Sequence, residues 1–301
     1  MDKNDLFGFL PRKWNLKFDG GIVSALKNYE EVENYILEQT NTDGFRYPPF
    51  SKTIILDQIT MEELEEEPNT RRCAHLYHIP SSHEIILSNI EEDTKDFRMG
   101  PGGLIINLIA YLSGTRLQFE DWFVDGRIPI KRGNDIYITE KSAEIFISHS
   151  YMTWKGFDEK EKTWFINILY MLSRVTSYEW DWERFTIEYM VLDSCWKFLK
   201  HRNIVNGGTG HASRIEIICN KLGIPYDKQL INEIVAIRND LFHEALWNRS
   251  YPCFAVKIST YGQHYDYLMH NLNQRIIPKL IDFDTAYVHT EWWSRGVFSF
   301  D

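Results

Sequence analysis

The hydrophobic pattern of this chain changes near residues 154–162. Before this point, short alternations of apolar and polar residues are broken by Gly, Pro, Asn and Asp, which is typical of β-strands and turns. After it, apolar residues recur at the three- and four-residue spacing of amphipathic helices. We therefore predict an α+β fold with two domains: an α+β domain over residues 1–155 and an all-α domain over residues 156–301.

The alternation in the first domain predicts a mostly antiparallel sheet with two helices. The predicted helices cover residues 22–39 and 104–112. The predicted strands cover residues 13–18, 52–57, 74–79, 83–87, 127–130, 135–139 and 144–148. A chain of 301 residues that is 44% hydrophobic is long enough for two domains with separate cores.

The second domain is predicted to be a four- or five-helix bundle, because its helical segments are joined by short connections. The five predicted helices cover residues 159–178, 182–202, 209–222, 227–248 and 260–283. Glycines at 207, 208 and 210 separate the second helix from the third, and Asp227 is a plausible N-cap for the fourth. Pro278 is expected to bend or shorten the fifth.

The net charge of −10 argues against a protein that coats nucleic acid non-specifically. The acidity belongs to the first half, however. Residues 1–150 hold 16 Lys and Arg against 25 Asp and Glu, whereas residues 151–301 hold 17 against 18. A polyanion can therefore approach the second half without crossing a strongly repulsive field.

The sequence also bounds the compartment. No stretch of about 18 apolar residues predicts a membrane span, and the polar start at residues 1–5 does not resemble a secretory signal. The four cysteines are scattered without a CxxC pair, as expected for reduced and mostly buried thiols. We expect a cytoplasmic protein.

The fourth predicted helix carries the candidate site. At about 100° per residue, Arg238 falls in the middle of the apolar arc of this helix. Asn239 and His243 lie four residues apart at one edge of that arc and are therefore neighbours in space. A guanidinium buried without a partner is unfavourable by several kcal/mol, so Arg238 must meet a carboxylate, a set of carbonyls, a subunit interface or an anionic ligand. A structural alternative is an ion pair with Glu188 or Asp193 of a neighbouring helix.

The stretch Ile237-Arg238-Asn239-Asp240-Leu241-Phe242-His243 resembles the R-x4-6-H signature of HEPN domains, and the helix at 211–223 with its short loop to Asp227 resembles the usual approach to that motif. The resemblance covers about residues 159–250. It implies a four-helix core that dimerises with the two motif helices facing each other, and a metal-independent endoribonuclease without a cofactor.

The resemblance and the residue chemistry suggest roles for each group. His243 can act as base or acid on the ribose 2′-OH or the leaving 5′-oxygen, because imidazole titrates near neutrality. Arg238 can hold the phosphate and stabilise the charge that grows on it, and Asn239 can orient the imidazole. Three cations near the end of the second helix are candidate RNA-binding residues: Lys197, Lys200 and Arg202.

The leading hypothesis is a regulated, dimeric HEPN-type ribonuclease, with an N-terminal sensor or interaction domain that receives an unknown protein or ligand trigger. Analogy with similar layouts suggests a prokaryotic defence or toxin system. Two alternatives remain open: a non-catalytic dimerisation or scaffold protein, and a sensor whose ligand occupies the N-terminal sheet. Cys73, His75, His78 and His83 lie close in sequence, but they lack the second ligand pair of a structural zinc site, and we predict no metal there.

Overall fold

The computed structural model describes residues 2–57, 59–60, 63–90, 94–131, 136–247, 252–253 and 255–301. It is a mixed helix and sheet structure in which most strands precede residue 138 and the longest helices follow it. The main sheet has five strands in the spatial order β2, β3, β8, β1 and β9, with every neighbouring pair antiparallel. Its strands are β1 (Lys3–Gly8), β2 (Leu16–Phe18), β3 (Gly21–Ala25), β8 (His83–Leu87) and β9 (Gln118–Phe119).

Four further pairs of strands complete the described sheet structure. Three are antiparallel and one, β12 with β13, is parallel. The pairs are β4 (Phe45–Arg46) with β11 (Ile128–Pro129), β5 (Phe50–Leu56) with β6 (Glu63–Cys73), β7 (Leu76–Tyr77) with β10 (Val124–Asp125), and β12 (Ile136–Tyr137) with β13 (Phe298–Ser299). The prediction of a mostly antiparallel sheet region is therefore confirmed.

The described residues contain nine α-helices. They are α1 (Tyr29–Glu38), α2 (Thr94–Met99), α3 (Pro101–Ser113), α4 (Glu140–Lys155), α5 (Glu159–Arg174), α6 (Asp181–His201), α7 (His211–Leu222), α8 (Lys228–Glu244) and α9 (Tyr265–Leu280). The five helices predicted after residue 156 are all present. Within the part of the chain that the structure describes, no helix is long and apolar enough to cross a bilayer.

The prediction of only two helices before residue 156 is wrong, since four are present. Residues 22–39 divide into strand β3 and helix α1, and α2 precedes α3 where no helix was predicted. The segment 144–148 was predicted to be a strand but lies inside α4. The first residue of the predicted strand 135–139 lies outside the described residues.

Helix α4 shows why the segment 144–148 was too short to identify the secondary structure. The short apolar run Ile145-Phe146-Ile147 is bounded by polar residues, which is also typical of a strand. Over the longer segment, the buried residues Ala143, Phe146, Ile147 and Ser150 follow helical spacing, while Ile145 is half exposed. Thr139 caps the helix by accepting a hydrogen bond from the Ser142 amide. Five residues cannot distinguish a period of 2 from one of 3.6.

The helices after residue 156 share a hydrophobic core with the preceding region. One continuous cluster of buried side chains includes residues from Phe7 in β1 to Phe300 near the C-terminus. Helix α3 packs against both α4 and α5, and the buried Tyr111 hydroxyl of α3 donates to the Gln274 carbonyl of α9 at 2.7 Å. The boundary at residue 155 stays a prediction, but the two regions on either side of it do not have separate cores.

Candidate functional site

Helix α8, which carries the predicted site, is fixed at both ends by local interactions. The Asp227 side chain accepts a hydrogen bond from the Leu230 amide at 2.8 Å, which confirms the predicted N-cap. The helix ends at Glu244, and Ala245 adopts a left-handed conformation with φ of 53°. His243 therefore lies in the last turn of the helix, next to the point where the chain leaves the helical axis.

Arg238 is half-buried and lies at the edge of the buried face of α8. That face is formed by Leu230, Ile231, Ile234 and Ile237, so its centre is rotated away from Arg238. The predicted position of Arg238 in the middle of the buried arc is wrong, because Phe242 is 45% exposed and does not pack inward. The Arg238 guanidinium lies over the Phe242 ring, 4.9 Å from its centroid.

Arg238, Asn239 and His243 form a hydrogen-bonded group. The Nη1 atom of Arg238 lies 3.1 Å from Oδ1 of Asn239 and 3.1 Å from Nε2 of His243. Because a guanidinium is always a donor, Nε2 of His243 is the acceptor in this hydrogen bond. Asn239 and His243 are both exposed, so the group is open to solvent.

Arg238 does not form the ion pair with Glu188 or Asp193 that was considered as a structural alternative, within the described residues. Glu188 is fully buried and accepts hydrogen bonds from His270 at 2.6 Å and from Asn273 at 2.6 Å. Within the described residues, the hydrogen bonds of Arg238 go to Asn239 and His243 and not to a carboxylate. Its Nη2 atom makes none of these bonds and is not shielded from solvent.

Tertiary packing adds a second histidine, His211, that the sequence did not single out. His211 is the first residue of α7, and its Nδ1 lies 2.9 Å from the hydroxyl of Tyr189 in α6. Burial lowers the pKa of His211, and the positive charges of Arg238 and Arg214 lower it further, against the opposing charge of Asp193. No local spacing indicates this juxtaposition, because the residues come from three helices.

Tyr189 connects the two histidine-bearing helices. Its ring lies 5.8 Å from the Arg238 guanidinium and 6.4 Å from the Phe242 ring. Burial raises the pKa of the Tyr189 hydroxyl, so this group keeps its proton throughout the neutral range. The Tyr189 side chain is buried, but its hydroxyl reaches the site.

The three predicted RNA-binding cations divide into two groups. Lys197 and Lys200 are exposed on α6. Arg202 is engaged elsewhere: it donates to the Leu280 carbonyl at 3.0 Å and lies 3.7 Å from Glu161 and 3.8 Å from Asp282. Arg202 follows Tyr189 by 13 residues, a rise of about 20 Å along a helix. The structure does not bring Arg202 to the Arg238 group.

Among the residues that the structure describes, two groups of side chains place three potential metal ligands close together, and neither group includes His243. The first group is Asp181, His264 and Asp266. Its two carboxylates already bind the Arg184 guanidinium, whose positive charge opposes the binding of a cation. In Asp158, Glu161 and His201, the two acids form the capping box of α5. The candidate zinc ligands near residue 75 are not gathered: His83 is fully buried, whereas Cys73, His75 and His78 are exposed.

The arrangement around Arg238 combines two histidines with a guanidinium that has no carboxylate partner among the described residues. Such a set can bind a phosphate and move protons on either side of it. Comparisons with protein-family models, with curated proteins and with solved structures gave no match for this chain. The ground for a functional assignment is therefore the chemistry of the site itself.

Proposed function

We propose that this protein is a metal-independent endoribonuclease of the HEPN type, with Arg238 and His243 as catalytic residues. In this proposal, helices α5 to α8 form the HEPN-like bundle, with α9 packed against α6, and residues 1–155 serve as the sensor or interaction region.

The observation that carries the proposal is the state of the Arg238 guanidinium. Within the described residues it is half-buried, packed on an aromatic ring, and hydrogen-bonded to a histidine rather than to a carboxylate. A guanidinium kept in place without a neutralising acid is prepared to bind an anion. The exposed side chains of Asn239 and His243 leave room for that anion to be part of a long polymer.

The proposed reaction is transesterification of the RNA backbone. A phosphodiester binds Arg238, whose N–H groups then point to the non-bridging oxygens instead of His243. The Nε2 atom of His243 accepts the proton of the 2′-OH, the 2′-oxygen forms a bond to phosphorus, and the bond from phosphorus to the 5′-oxygen breaks. The products are a 2′,3′-cyclic phosphate and a 5′-hydroxyl end.

His211 is the proposed donor of the proton that the 5′-oxygen requires. In the free site, the charge of Arg238 contributes to lowering the pKa of His211. A bound phosphate compensates that charge, which raises the pKa again and lets His211 carry a proton when the substrate is present. The site would thus supply one base and one acid from two different helices.

The proposal includes a homodimer formed through the C-terminal helices. The Phe242 ring, next to His243, is 45% exposed, and Met190 of α6, next to Tyr189, is 48% exposed. Exposed apolar side chains beside the Arg238 group support a subunit interface at this position. Lys197 and Lys200 would extend the positive surface towards RNA. A role in a prokaryotic defence or toxin system is the proposed context for such a regulated ribonuclease.

The decisive experiment compares wild type with Arg238→Ala and His243→Ala on total RNA in the presence of EDTA. We expect cleavage by the wild type and a loss of about 100-fold or more in each variant. Ends should carry cyclic phosphate, and an oligonucleotide with 2′-deoxyribose at the cleaved position should be resistant. Light scattering on the same samples should give the mass of a dimer.

Arg72→Ala and His75→Ala provide matched controls, since both residues are exposed and lie in the N-terminal region. Their activity should equal that of the wild type. Equal cleavage by wild type, Arg238→Ala and His243→Ala would contradict the proposal, as would cleavage abolished by EDTA. A folded wild-type dimer without any cleavage would favour a scaffold protein instead.

A further inference from the structure

A large cavity lies between the sheet region and the C-terminal helices, apart from the Arg238 group. Its volume is about 880 Å³, within the range of small-molecule binding sites. Strands β4 and β11 contribute Phe45 and Pro129 to its wall, and the opposite wall comes from α6, α9 and the segment that precedes α9. The cavity is thus formed jointly by both regions, and not by the N-terminal sheet alone.

The ionised side chains of the wall are mostly arginines. Arg127, Arg184 and Arg295 line the cavity, against a single carboxylate, Asp266. Arg184 is neutralised, because it binds both Asp266 and Asp181 at 2.6 Å. The positive charge of the wall therefore comes from Arg127 and Arg295, in a protein whose net charge is −10.

Arg127 and Arg295 bind only neutral oxygens within the described residues. Arg127 donates to the carbonyls of Thr176 at 3.3 Å and Tyr178 at 2.8 Å and to the Tyr47 hydroxyl at 3.2 Å. Its guanidinium stacks on the Phe45 ring, 4.1 Å from the centroid, which holds the charge in position. Arg295 is exposed and donates to the Gly262 carbonyl.

We propose that this cavity binds a small phosphorylated molecule, with Arg127 and Arg295 as the anion-binding residues. Two guanidiniums that line one cavity, without carboxylate partners among the described residues, favour a ligand of double negative charge. A phosphate monoester supplies that charge and enough acceptor oxygens for two arginines at once. The volume leaves room for the organic part of the molecule. The proposal does not depend on ribonuclease activity.

Isothermal titration calorimetry of the full chain tests the site, with AMP, glucose 6-phosphate, adenosine, inorganic phosphate and citrate as probes. We expect AMP or glucose 6-phosphate to bind more tightly than inorganic phosphate, and adenosine not to bind. Arg295→Glu should weaken this binding at least tenfold, since the residue is exposed and its replacement leaves the core intact. Arg72→Ala, an exposed arginine in the N-terminal region, should leave it unchanged.

Arg127→Gln provides a second variant and should also weaken binding at least tenfold. Circular dichroism would check the fold of this variant, because Arg127 also donates hydrogen bonds to three neighbouring groups. If Arg127→Gln does not fold, the result for Arg295→Glu alone decides the proposal. The proposal is overturned if neither phosphate ester binds or if citrate alone binds. The proposal is also overturned if Arg295→Glu and wild type bind the esters with equal affinity. The same holds if inorganic phosphate binds as tightly as the esters.

Discussion

Two arginines of the C-terminal helices, Arg184 and Arg238, illustrate opposite uses of the same side chain. Arg184 of α6 donates to two carboxylates, of Asp181 and Asp266, and to the carbonyls of Tyr178 and Glu179. Arg238 of α8 has an amide oxygen and an imidazole nitrogen as its hydrogen-bond partners among the described residues. Both side chains are well ordered by packing, but only one of them has its charge neutralised.

The difference indicates which arginine is structural and which is available to a ligand. A guanidinium that is bound by carboxylates holds elements together. In Arg184 it joins the start of α6 to the start of α9. A guanidinium that is positioned but not neutralised keeps its capacity for an anion. Each of the following predictions tests this difference between Arg184 and Arg238 or its consequence for the site.

The largest expected contrast is in stability. Arg184→Ala leaves the carboxylate of Asp266, whose side chain is 8% exposed, without its cation, and should lower the free energy of unfolding by about 3 kcal/mol. Arg238→Ala removes no neutralised charge and should change it by less than about 1 kcal/mol. Urea denaturation of the two variants beside wild type measures both values. Equal destabilisation would show that Arg238 is as structural as Arg184.

The second prediction concerns the pKa of His211. Because Arg238 is not neutralised, its charge contributes to lowering this pKa, and Arg238→Ala should raise it towards the ordinary histidine value. Arg184→Ala should leave it unchanged. NMR titration of the His211 ring proton in the three proteins makes the comparison. A downward shift, or no shift, in Arg238→Ala would mean that Arg238 and His211 do not interact.

The smallest expected effect belongs to Tyr189, the residue that links α6 to His211. Tyr189→Phe keeps the ring against Arg238 and Phe242 and removes only the hydroxyl that lies 2.9 Å from His211. Losing one hydrogen bond of about 1 kcal/mol should lower kcat for RNA about fivefold and leave KM unchanged. Thr186→Val on the same helix is a matched control, since it also removes one hydroxyl. A change in KM alone would assign Tyr189 to substrate binding.

The helical pattern predicted the five C-terminal helices well because helices longer than about three turns show their period clearly. Asp227 and the glycines at 207, 208 and 210 marked helix ends through local backbone preferences that need no tertiary context. The sheet region was harder to predict. Its strands are as short as two residues, and the segment 144–148 resembles a strand until the whole of α4 is considered.

The sequence by itself placed Asn239 and His243 side by side, because residues four apart on a helix are neighbours. The structure adds that Arg238 is hydrogen-bonded to both of them. Only the tertiary structure decided that Glu188 binds His270 and Asn273 and leaves Arg238 without an acid. It also decided that His211 joins the site through Tyr189, and that a cavity lies between the two regions. These features depend on how separate elements pack against one another, and the spacing of residues along a single helix does not predict that packing.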